Sequence, residues 1–252
     1  MEHCSRGPHD DRANRDRESP RSGRRFRAGW LFRSPAFAAG LGVLVAFAAG
    51  MQGFFLMLAL WLQAGERFSP LKAGLTALAF SAGSFALAPV AVPMALRYGR
   101  RVPILGGILM AVGTAGVMAA VGDVGVGGSP WPVGPGLVVA GAGLSLLVIP
   151  LANAVLAAVP TEAAGGASGL FSTAQQLGGA IGVALLGTIF FGWVSGGHSF
   201  AAAMTRGAPC AIGAFALCAA LSLLLPRVAV TEDALMGIGE RAEQPGPTRA
   251  DG

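Results

Sequence analysis

The amino-acid sequence predicts an all-α integral membrane protein of six transmembrane helices, and three observations carry that prediction. Only 12% of the 252 residues are charged while 53% are hydrophobic, whereas a soluble domain wets its surface with roughly a quarter charged residues. The charges are also segregated: nine of the 18 basic residues precede Ser34, and Asp123 is the only charge between Arg101 and Glu162. What remains falls into six charge-free windows, 34–65, 73–96, 102–122, 124–161, 163–205 and 207–226. Each can supply the roughly 20 apolar residues that cross about 30 Å of hydrocarbon. Buried in a soluble protein, the same windows would leave almost no polar surface.

Residues 1–30 are polar, Arg-rich and mixed in sign, and read as a disordered tail without the apolar run of a secretory signal. The bundle occupies 31–227, and 228–252, ending EQPGPTRADG, form a second disordered tail. The first span lies within Ser34–Gln63, followed by the loop AGERFSPLKAG with Glu66, Arg67 and Lys72. The second runs from about Leu75 to Leu96 and is interrupted by Pro89 and Pro93, which are expected to kink it. The basic turn RYGRR at 97–101 leads into the third span, which ends near Val121. A turn-rich connector, GDVGVGGSPWPVGPG, precedes a fourth span reaching about Val159 with Pro150 inside it. After the loop PTEAAGG, the fifth span extends to about Val194 and the sixth covers about Pro209–Leu225.

Basic residues collect at the cytoplasmic ends of spans. With a cytoplasmic N-terminus, Arg21, Arg24, Arg25, Arg27, Arg33, Arg97, Arg100, Arg101 and Arg227 lie inside, against Arg67, Lys72 and Arg206 outside. Both termini are therefore expected in the cytoplasm, and the net charge of +5 is assigned to these anchors rather than to nucleic acid.

Intramembrane polar groups are few, and an amide in hydrocarbon faces another helix or a wet cavity. In the fifth span Ser168, Ser172, Gln175, Gly179 and Gly182 follow helical spacing and share one small, polar face. Leu170, Leu177, Ile181 and Leu185 fall on the opposite, greasy side. The small face suits close helix packing, while Gln175 and Gln176 serve either as interhelical hydrogen-bonding groups or as the lining of a substrate cavity. Asn153, one turn beyond Pro150, either satisfies backbone at the kink or contacts a ligand. Gln52 lies in MQGFFLMLALW, where Phe54, Phe55, Met57 and Trp61 form either an adaptable apolar wall or ordinary packing.

No Asp, Glu, His or Lys lies deep in a span, so no intramembrane proton relay is expected. The GVGG of 125–128 lacks a Walker lysine, and GxSxG and HExxH are absent, which argues against ATP use and against an enzyme. Cys4, Cys210 and Cys218 lack CxxC spacing, and His3, Cys4 and His9 are attributed to chance, so neither metal nor other cofactor is expected.

The run ASGLFSTAQQLGGAIGVALLGTIFF (167–191) resembles a helix near the end of major facilitator superfamily transporters, specifically the fourteen-span drug:proton antiporter family. LFRSPAFAAG (31–40), FSPLKAGLTALAF (68–80) and VIPLANAVLAAVPTEAAGGASG (148–169) are similar to successive segments of that family, in the same order. The resemblance covers about 31–227 and implies the last six spans, a half built as a 3+3 inverted repeat. RYGRR resembles the superfamily's loop motif through Arg97, Gly99, Arg100 and Arg101, while Leu96 stands where that motif has Asp and Val92 where it has Gly. A cytoplasmic anchor is implied, and a gating charge pair at Leu96 is not.

By this resemblance the chain is expected to be a half or truncated transporter in the plasma membrane. It would move a hydrophobic, drug-like small molecule by alternating access, with the missing N-terminal half or a second copy as partner. Proton-carrying acids belong to the other half, as the resemblance implies. Gln52, Phe55, Met57, Asn153 and Gln175 are the candidate cavity residues. A non-transporting membrane scaffold and an inert remnant of a broken transporter gene are the alternatives.

Overall fold

The computed structural model describes residues 35–123, 129, 131–157 and 164–223. The expected tails at 1–30 and 228–252, and with them Arg21, Arg24, Arg25, Arg27, Arg33, Glu162 and Arg227, lie outside the described residues. Among the described residues six long helices carry the fold: α1 Pro35–Leu60, α2 Pro70–Tyr98, α3 Arg101–Asp123, α4 Gly134–Ala157, α5 Ala164–Ser195 and α6 Phe200–Ser222. All are long and apolar enough to cross a membrane. A wide turn over Trp61–Gly65 extends α1, closed by the Glu66 N–H donating to the Trp61 carbonyl at 2.9 Å.

Helix starts depend on caps that hydropathy does not register. The Ser69 hydroxyl accepts from the Lys72 N–H at 3.3 Å and Pro70 takes the first helical position, so α2 begins before Leu75. Ser199 caps α6 in the same way through the Ala202 N–H at 3.2 Å. The sixth helix therefore opens at Phe200 rather than Pro209, and Arg206 lies inside it. Pro89 and Pro93 both lie within one continuous α2, and Pro150 lies within α4. Gly99 ends α2 at φ 56, a left-handed backbone that a side chain would strain.

Three helices follow three others in the chain, and the packing repeats accordingly. The principal partners are α3 with α4, α2 with α4, α1 with α5, α3 with α6, and α1 with α6. Exchanging α1, α2 and α3 for α4, α5 and α6 leaves this set unchanged, as a 3+3 repeat requires. Lipid offers no hydrophobic drive between helices, so close backbone approach has to hold them. Glycines provide it: a Cβ at Gly83 would collide with the Val138 carbonyl and one at Gly141 with that of Phe80, across α2–α4. Across α1–α5, Gly178 and Gly182 meet the carbonyls of Val45 and Ala49 in the same manner. Leu177, Ile181 and Leu185 of α5 face outward, as does a row on α2 comprising Leu71, Leu75, Leu78 and Phe85.

Candidate functional site

Where α1 and α5 cross, with α4 alongside, a cleft of about 370 Å³ opens. Its walls are Phe47, Ala48, Met51 and Gln52 of α1, Leu144 and Val148 of α4, and Gln175 and Gln176 of α5. Helical spacing explains the set: Phe47 and Met51, and likewise Ala48 and Gln52, lie one turn apart on α1, and Leu144 and Val148 one turn apart on α4. Gly179 makes the room, since a Cβ there would stand 2.9 Å from Gln52 Cγ. Glycine thus does two jobs on α5. Gly178 and Gly182 admit the backbone of α1, and Gly179 admits a polar side chain.

The cleft presents apolar walls and three primary amides, and no residue lining it carries charge. Among the described residues, none of the three amides has a hydrogen-bond partner in the protein. Each offers two N–H donors and one carbonyl acceptor. A mostly apolar concavity with a few polar groups is the usual form of a small-molecule site.

The other sequence candidates are placed differently. Phe55 is half-buried and meets Phe80 of α2 edge to face, ring centres 5.1 Å apart at 89°, so it joins α1 to α2 beside the cleft. Met57 is fully buried, its sulfur filling the space that a Cβ at Gly207 of α6 would need. It packs between helices, apart from the cleft. Asn153 is exposed on α4 and is not among the lining residues. Ser168 and Ser172 are exposed, whereas Gly179 and Gly182 are buried in the crossing. Phe47, Met51, Leu144 and Val148 were not singled out by sequence, because apolar residues in apolar helices give no contrast.

The RYGRR turn has a definite task. Arg100 Nη1 donates to the Leu223 carbonyl at 3.1 Å, capping the end of α6 with a cation where the helix dipole is negative. Arg97 lies against the Tyr98 ring at 5.6 Å, and Arg101 is exposed at the start of α3. The turn and the end of α6 therefore share one membrane face.

Six membrane-length helices in two inverted threes, with a cleft lined by uncharged residues, have the architecture of one half of a transporter bundle. Comparison with known proteins agrees: the Major Facilitator Superfamily family model matches residues 6–183 and 42–240. The chain belongs to the Major Facilitator Superfamily, and it is a multi-pass membrane protein. It is 36% identical over 166 residues to a probable actinorhodin transporter of Streptomyces coelicolor, covering 64% of this chain and 28% of that protein. It is 32% identical over 165 residues to the multidrug resistance protein Stp of Mycobacterium tuberculosis, covering 66% and 30%. A tetracenomycin C resistance and export protein of Streptomyces glaucescens is 29% identical over 161 residues, covering 63% and 29%. The chain thus spans less than a third of the length of these curated relatives.

Proposed function

We propose that this chain forms one wall of an export pathway for hydrophobic, drug-like small molecules in the plasma membrane, working by alternating access against a second six-helix half. That half is the N-terminal part of a longer protein or a second copy, and the N- and C-termini of this chain face the cytoplasm. The observation that carries the reading is the cleft, where Gln52, Gln175 and Gln176 stand unpaired among Phe47, Met51, Leu144 and Val148. Unpaired amides in a membrane interior are costly unless a ligand or water meets them. The names of the three relatives, which include export and drug resistance, support the direction. In this role the amides bind carbonyl and hydroxyl groups of an aromatic substrate, and Phe47 and Met51 adapt to its shape.

Counter-flow of a labelled hydrophobic antibiotic into proteoliposomes tests the reading, using the protein at the size found in native membranes. Gln175→Leu and Gln52→Leu are expected to slow it while leaving the protein folded. Uptake equal to that of empty liposomes would favour a scaffold without transport activity. Full uptake by both variants would remove the cleft from the pathway.

A further inference from the structure

A second cleft, also of about 370 Å³, lies at the far end of α5, lined by Thr188, Ile189, Gly192, Trp193, Gly196 and His198. It shares no lining residue with the first. We infer that this cleft holds an anionic phospholipid, its headgroup phosphate met by Arg206 and its acyl chain laid along Thr188 and Ile189.

The polar end of the cleft is built around one indole. Gly197 at φ 81 turns the chain sharply after α5, a conformation suited to glycine. The turn returns His198 over Trp193, with ring centres 4.6 Å apart. His198 N–H donates to the Trp193 carbonyl, and Nδ1 meets the same oxygen at 3.3 Å. A carbonyl only accepts, so Nδ1 is the donor in that contact, which fixes the ring over the indole. From α6, the Arg206 guanidinium stands 4.9 Å from the same indole. A cation–π contact consumes none of arginine's five N–H donors, and their fork geometry matches phosphate.

Arg206 lies about 9 Å along α6 from Phe200, at 1.5 Å per residue, within the apolar span Phe200–Ser222. Tryptophan and snorkelling arginine together mark the depth of lipid headgroups. The other end of the cleft is hydrocarbon in character. The Thr188 hydroxyl donates back to the Ala184 carbonyl at 2.7 Å, so the residue offers its methyl group, and Ile189 adjoins it. Gly192 has open space where a side chain would stand. A cation with an aromatic plate at one end and apolar wall at the other fits an amphiphile better than a free anion.

The test is native mass spectrometry of the detergent-purified protein doped with phosphatidylglycerol, with phosphatidylcholine of matched chains, and with inorganic phosphate as competitor. Phosphatidylglycerol is expected to be retained over phosphatidylcholine, and Arg206→Gln to lower that retention about fivefold, the worth of one basic residue at a lipid surface. Arg206→Lys, which keeps the charge, is expected to restore most of it. Should Arg206→Gln not yield monodisperse protein, the wild type decides by salt: retention of phosphatidylglycerol is expected to fall as ionic strength rises. Equal retention of both lipids, retention indifferent to Arg206 and to salt, or displacement by inorganic phosphate would each overturn the inference, the last assigning the cleft to free anions.

Discussion

The repeat places two helix crossings in equivalent positions, α2 on α4 and α1 on α5, and their polar groups are treated in opposite ways. Both crossings close on glycine against carbonyl. At α2–α4 the hydroxyls complete one another: Ser145 Oγ donates to the Ser84 carbonyl at 2.6 Å, which leaves the Ser84 hydroxyl to donate to Ser145 Oγ at 2.8 Å. At α1–α5 the amides of Gln52, Gln175 and Gln176 stand at an open cleft with no protein partner among the described residues. Satisfied polar groups make a crossing rigid, and unsatisfied ones keep it available to a ligand. One fold element, used twice, thus supplies a closed strut and an open cleft.

The largest expected effect lies in the strut. Gly141→Leu drives a side chain into the Phe80 carbonyl, where backbone has to move, and is expected to cost about 3 kcal/mol or more in a detergent-unfolding titration. A fully stable variant would mean that the two crossings do not differ in stiffness. Next comes the site: Gln175→Leu is expected to change unfolding free energy by less than about 0.5 kcal/mol. Substrate affinity in the assembled transporter should fall about fivefold to tenfold, the worth of one hydrogen bond. The reverse pattern, stability lost and affinity kept, would make Gln175 interhelical glue and erase the contrast.

Ser145→Ala removes the central hydroxyl of the pair, and by the average of membrane hydrogen bonds is expected to cost about 0.6 kcal/mol with no change in substrate affinity. Gly179→Ala is the mildest. The three atoms nearest its Cβ all belong to the flexible Gln52 side chain, so thermal stability should hold within about 1 °C while relative affinities for different substrates shift. An equal stability loss from Gly179→Ala and Gly141→Leu would show that glycines at the site and the strut do the same work.

The existence of six spans was legible because missing charge over 20 residues is a strong physical signal. Helix ends were not, since Ser69 and Ser199 act as single caps inside otherwise polar loops. The face of α5 was read only in part. Helical spacing places Gly179 and Gly182 together, and both are buried, but the adjacent Gly178, outside that spacing, meets the Val45 carbonyl. Neighbouring glycines differ by about 100° of rotation, less than a contact face spans. Gln52 and Gln175 stood out because amides are rare in these helices, and the cleft brings them together. Asn153 stood out for the same reason and Met57 for its adaptable thioether, yet their sites depend on which neighbour each helix meets. That information is long-range.

The neutrality of the cleft between α1 and α5 has an energetic consequence. An ion gradient performs work on a protein only through groups whose charge or ion occupancy changes, and none of the residues lining this cleft titrates. Affinity for an uncharged compound should therefore stay flat across the physiological pH range in any one conformation. In the proposed role, selection among compounds would fall to contour and hydrogen-bonding pattern, and a driving force delivered outside this cleft would have to arrive here as a change of shape.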